Sequence, residues 1–128
     1  MTLTHSTAIR NSLADLVVDA IDVGTTDATG DIIIQTVADA ILCTVTFANP
    51  AFGGASSGTA TGSTFPREGT ATGAGTATKF RVRNRDNTEI FQGTVTATGG
   101  GGDMELSSTT IAINDVVRLN TFTYSASL

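Results

Sequence analysis

The spacing of apolar positions along the chain changes once, near Gly30. Before that point Ile9, Leu13, Leu16, Val17, Ala20 and Ile21 recur at i, i+4, i+7, i+8, i+11 and i+12, one stripe on a 3.6-residue period. Ser6 or Thr7 supplies an N-cap, Gly24 a stop, and Thr25 to Gly30 a turn-rich connection. The spacing therefore predicts an amphipathic helix over 6–23. Arg10, Asn11, Asp15, Asp19 and Asp22 occupy the other side of the helix. Burying its large apolar side chains is worth about 10 kcal/mol gross. A helix this short does not hold alone in water, so the stripe requires a partner surface. That surface belongs to the chain's own domain or to a neighbouring subunit. A membrane is disfavoured, because the polar side is acidic where a surface-bound helix carries Lys and Arg.

After Gly30 the period becomes two. Asp31 to Val37, with Ile32, Ile33 and Ile34, reads as a well-buried strand, and Ala38-Asp39 as a turn. In the next strand Ile41, Cys43, Val45 and Phe47 share one face, Thr44 and Thr46 the other, and Asn49-Pro50 ends it. Residues 51–76 are Gly/Thr/Ala-rich, with short strands expected near Thr59 to Phe65 and Thr70 to Thr76. Thr78 to Asn84 alternates Phe80 and Val82 against Lys79, Arg81 and Arg83. Arg85-Asp86-Asn87 is a hairpin loop, and Thr88 to Thr98 returns as a strand. Adjacent Ile90 and Phe91 call for a bulge, with Gly93 a natural place for it. Beyond the four-glycine loop Gly99 to Gly102, Met104 and Leu106 start a strand. Ile111 and Ile113 follow, and Asn114-Asp115 turns into a last strand, Val116 to Ser125. This pattern predicts one domain over 1–128. It is mainly β: an antiparallel β-sandwich or jelly roll over 31–126, preceded by one amphipathic helix.

Composition narrows the core and the partners. Aromatics are six Phe and one Tyr with no Trp, so Ile, Val, Leu and Ala must carry most of the packing, while 24 Thr and 14 Gly suit short strands and tight turns. A net charge of −5 makes a polyanion a poor partner, so no nucleic-acid role is expected. Cys43 stands alone, which removes a disulfide scaffold. Neither a signal peptide nor a membrane-spanning apolar run is legible, so synthesis and assembly in the cytoplasm are expected.

Candidate chemistry is sparse. His5 lies ahead of the helix with no second His or Cys to complete a metal or catalytic site. Cys43 sits on an apolar strand face and reads as a small hydrophobe without a base to activate it. The Gly-rich stretches lack the Lys-Ser or Lys-Thr ending and the following helix of a phosphate loop. Asp22, Asp27 and Asp31 lack calcium-loop spacing. Glu68, Glu89 and Glu105 show no paired-carboxylate arrangement. These readings predict no enzyme, no metal and no cofactor. What remains are candidate interface residues. Ile9, Leu13, Leu16 and Val17 form the helix stripe. Phe52 and Phe65, set among glycines, are either interface anchors or plugs at the end of a sandwich. Lys79, Arg81 and Arg83 are either a solvent face offset by Glu89 and Asp86 or a docking face for an acidic protein surface.

Three stretches, spanning nearly the whole chain in order, carry a resemblance. They are TLTHSTAIRNSLADLVVDAIDVGTT; AILCTVTFANPAFGGASSGTATG; and ATKFRVRNRDNTEIFQGTV followed by SSTTIAINDVVRLNTFTYS. Together they resemble small virion structural proteins of tailed phages and prophages, of the head-decoration or capsid-cement type. The resemblance implies a β-rich homo-oligomer, often a trimer, seated on the head surface against the major capsid protein or other virion proteins. It brings no catalytic residues. A tail, collar or fibre module, including one that binds a host surface, is the alternative.

Overall fold

The computed structural model describes residues 3–126. Ser6 is the N-cap of helix α1 (Thr7–Asp19), its hydroxyl accepting from the Ile9 amide at 3.3 Å, and a 3-10 turn (Ala20–Asp22) extends the helix. Eleven strands follow: β1 (Asp31–Gln35), β2 (Ile41–Thr46), β3 (Thr59–Thr61), β4 (Arg67–Thr70), β5 (Gly75–Thr76), β6 (Lys79–Arg83), β7 (Glu89–Ala97), β8 (Met104–Leu106), β9 (Thr110–Ile111), β10 (Val116–Leu119) and β11 (Thr123–Ser125). β2-β1-β6-β7-β8 form one sheet, and three antiparallel ribbons, β4-β10, β3-β11 and β5-β9, complete the domain. The result is a mainly antiparallel, sandwich-like β domain with one N-terminal helix.

Ile32 and Ile34 of β1 enter the main core with Cys43 and Val45 of β2, Phe80 and Val82 of β6 and Val95 of β7. Ile33 is also fully buried, but it points to the other face, where its ladder neighbours are Thr44 and Arg81. The run of three β-branched residues is thus covered on both sides, as its continuity implied.

All six phenylalanines and the one tyrosine form a single cluster. Phe122 is its hub, with ring centroids 5.8–6.4 Å from Phe47, Phe52, Phe65, Phe80 and Phe91. Tyr124 joins through Phe91 at 5.2 Å. A chain poor in aromatics has put them all in one place, where edge-to-face pairs add about 0.5–1.5 kcal/mol each beyond area burial.

Several boundaries differ from the expected ones. A bulge at Ile34/Gln35 pairs Ile34 with Cys43 but Gln35 with Ile41, so Ile41 leaves the core face and is exposed while Leu42 is buried. The bulge in β7 bypasses Ile90, between the pairs Val82–Phe91 and Arg83–Glu89, and is not at Gly93. Gly93 instead makes room for an aromatic ring, because a Cβ there would lie 2.6 Å from Phe80. The expected last strand is split, because the chain turns aside at Asn120 to Phe122 to drive Phe122 into the aromatic cluster. In the Gly/Thr/Ala region β3 is shorter than expected, and β4 begins at Arg67, ahead of the predicted position.

β8 runs parallel to β7, with Val95 opposite Met104 and Ala97 opposite Leu106. Parallel neighbours usually need a long crossover. Here the four glycines allow a hook that folds back over Thr96: side chains at Gly100 or Gly102 would lie 2.7 or 2.9 Å from it. Gly99 and Gly101 adopt φ of +87° and +81°, and the Glu105 carboxylate accepts from both amides, at 3.2 and 3.1 Å.

Candidate functional site

The helix docks through a mixed face, apolar at its centre and polar along its flanks. Ala14, Val18 and Ile21 are the buried residues of α1 and its extension. Flanking them, Asn11 accepts from the Gly58 amide at 2.7 Å, Asp15 from the Ala55 amide at 2.8 Å, and Asp22 from the Ala51 amide at 2.9 Å. Residues 51–58 form a loop whose amides lack a ladder partner at these positions, so acceptors delivered by the helix satisfy them. Asn11, Asp15 and Asp22, on the side opposite the apolar stripe, thus meet the chain's own loop. The sequence rule assumes that apolar surface decides docking, whereas this loop offers donors in need of acceptors. Burial raises the Asp22 carboxyl above the usual carboxylate range, helped by the charge of Asp19 and opposed by the Ala51 amide and Arg85.

Most of the predicted stripe is left outward. Ile9 is 50 % exposed, Leu13 39 % and Leu16 71 %, with Val17 half-buried beside them. Leu3, ahead of the helix, and Val23, after it, are also exposed. Of the stripe, Ile21 turns fully into the core and Ala20 partly so. Ile9, Leu13 and Leu16 lie outside the chain's own core.

The other candidates are placed differently. Phe52 is 5 % exposed and packs on Phe47 and Phe122, so its ring is a core residue and no anchor for another protein. Phe65 is half-buried against the same two rings. Lys79, Arg81 and Arg83 are each matched by a carboxylate. Lys79 pairs with Asp39, Arg81 with Glu89 at 3.7 Å, and Arg83 holds Asp31 through two 2.8 Å bonds. Asp31 is buried, and its hydrogen bonds hold the Arg83 guanidinium more firmly protonated than usual. The predicted partner Asp86 instead caps the Thr25 and Thr26 amides at 2.9 and 3.0 Å. A face neutralised this way has little charge left to offer an acidic surface.

Nor do the reactive residue types converge. Cys43 is buried and burial pushes its thiol pKa up, away from the thiolate a nucleophile needs. Glu68 is bound to Arg118, Glu89 to Arg81 and Glu105 to the glycine hook. Among the described residues, no group of three or more His, Cys, Asp or Glu is placed to hold a metal, and no helix is long and apolar enough to cross a membrane.

One feature had no signal in the sequence. A cleft of about 860 Å³ opens between β7-β8 and the segment Arg118 to Ser125. Phe91, Phe122 and Tyr124 line it together with Gln92, Asp103 and Glu105. Its walls come from strands far apart in the chain, so only the fold brings them together. Neither a family model, nor a curated protein, nor a solved structure matches this chain significantly.

Proposed function

We propose that this chain is a structural protein of a tailed-phage particle, decorating or cementing the head through contacts with the major capsid protein and with other copies of itself. The observation that carries an assembly role is the outward apolar face of α1. A helix fixed to its own domain through Ala14, Val18, Asn11 and Asp15 presents Ile9, Leu13 and Leu16 ready to be covered. The resemblance of its three sequence stretches to phage decoration proteins favours the virion head as the place of assembly. Binding there would stabilise the shell by mass action, each occupied site favouring the assembled state. The reaction is association, with no cofactor.

Quantitative mass spectrometry of purified particles tests this. The expected result is a copy number on the scale of the major capsid protein, with antibody label over the head. A handful of copies, or label confined to tail, collar or fibres, overturns the head assignment in favour of a tail module. Absence from particles overturns the virion reading altogether.

A further inference from the structure

The cleft lies where the main sheet is unfinished. β7 runs from Glu89 to Ala97, but β8 pairs only with Val95, Thr96 and Ala97. Over Glu89 to Gly93 the side of β7 away from β6 has no strand partner among the described residues. The amides that point that way are identifiable: Thr94 donates to the Asp103 carboxylate at 2.9 Å, and Thr98 to the Leu106 carbonyl at 3.0 Å. The alternation of a strand puts the Gln92 amide on the same side, facing the cleft. Across the opening stands β11, paired to β3 along one edge and, among the described residues, to no strand along the other. A bare edge of β7 and residues of β11 thus border one open slot. Bare edges are a pairing liability that folded proteins usually cover.

The walls specify what fits. Phe91, Phe122 and Tyr124 are half-buried in the cleft, with Met104 and Leu106 buried beside them, so its floor accepts apolar side chains. The charges at the rim are Asp103 and Glu105 against Arg118, which is already held by Glu68 at 3.1 Å. Hydrogen bonds from Thr94 keep the Asp103 carboxyl below the usual carboxylate range, so it stays ionised. The slot is therefore acidic in a chain of net charge −5, which disfavours a second copy as occupant.

We infer that this cleft binds an extended segment of another protein, added as a strand along the free edge of β7, with apolar residues facing the aromatic floor and Lys or Arg residues at the acidic rim. Main-chain hydrogen bonds to Gln92 give such a site its grip, and the side-chain alternation gives it selectivity. Of the bare stretch of β7, Phe91 to Gly93 border the cleft, about 10 Å of edge. The inference does not depend on the virion reading, because it rests on the sheet edge and on the walls of the cleft.

The test uses the full-length protein in solution. Three blocked nine-residue peptides serve as probes: one alternating Val with Lys and Thr, one with Glu in place of Lys, and one with N-methylated backbone amides on one edge. Backbone NMR and amide exchange are the readouts. The Lys peptide should shift the signals of Gln92 and Thr123 to Ser125 and slow exchange at Gln92 at least tenfold. The Glu and N-methylated peptides should bind at least tenfold more weakly, and Gln92→Pro, which removes the outward amide, should weaken the Lys peptide similarly. Because the peptide arms need no mutant, a misfolded Gln92→Pro leaves the test intact. No binding at millimolar peptide, shifts confined to α1, or equal binding of the Glu peptide would overturn the inference. So would occupation of the cleft by an oligosaccharide such as chitohexaose with no response to peptide.

Discussion

Leu16 and Val18 stand two positions apart on one helix, and the structure gives them opposite roles. Leu16 is 71 % exposed and Val18 1 %. A fully buried Leu is worth about 1.5–3 kcal/mol, so the small part of Leu16 covered by its own chain contributes less than about 1 kcal/mol to folding. Lys has nearly the helix propensity of Leu, so Leu16→Lys adds almost no local cost. Val18→Ala removes buried methyl groups and leaves a void, at about 2–3 kcal/mol. At roughly 3–5 °C per kcal/mol for a domain of this size, Leu16→Lys should lower Tm by less than about 4 °C and Val18→Ala by about 6–15 °C.

Association should rank the two in reverse. The exposed part of Leu16 offers a partner about 1–2 kcal/mol, and a lysine in its place also buries an unpaired charge. Occupancy of particles stripped of the protein, titrated at limiting concentration, should therefore fall at least tenfold for Leu16→Lys. Val18→Ala, measured below its own Tm, should bind as the parent does. Differential scanning calorimetry supplies the first comparison and quantitative gel densitometry of sedimented particles the second. A Leu16→Lys protein that melts more than about 10 °C low, or that decorates particles normally, refutes the assignment of the two helix faces.

Further expectations follow from the same contacts. Asp15→Ala leaves the Ala55 amide without its acceptor and should cost about 1–3 kcal/mol in chemical denaturation, although Asp15 lies opposite the apolar stripe. Asp22 has a raised pKa, so its folded form holds its proton more tightly than the unfolded chain, and stability is lost as pH rises through the folded value. Asp22→Asn keeps an acceptor for Ala51 without the charge, so it should match or exceed the parent Tm at pH 7, where Asp22→Ala should fall below it. Asp86 and Asp103 have the opposite sign: backbone amides depress both, so their contribution is present above the ordinary carboxylate range, near about 3.9, and lost as pH falls through the depressed values. The double variant Asp86→Asn/Asp103→Asn should flatten the acid limb of a Tm-against-pH curve, and an unchanged limb would refute this. Gly93→Ala places a methyl group against the Phe80 ring and should cost about 1–3 kcal/mol by thermal melt.

The elements legible in the sequence are those marked by a local apolar period or an unbroken apolar run. The helix over its whole length, β1 with its three isoleucines, and the β6-β7 hairpin all lie where the spacing placed them. The order of the domain, one helix and then strands, was legible for the same reason. Illegible were features decided by distant packing or by backbone groups in need of partners. The split between β10 and β11 follows from Phe122 filling the aromatic centre, and no local pattern marks that residue as a hub. The cleft is set by how far β8 extends along β7, a distance fixed by the glycine hook and by Glu105. Which side of α1 faces inward is the most instructive case. An apolar stripe states that some surface will cover it, but not whose surface. Here the chain's own loop presents amides, so its own domain takes Asn11, Asp15 and Asp22, and most of the stripe is released to the outside. An apolar stripe thus predicts a helix, while its inward side also depends on which backbone donors around it need acceptors.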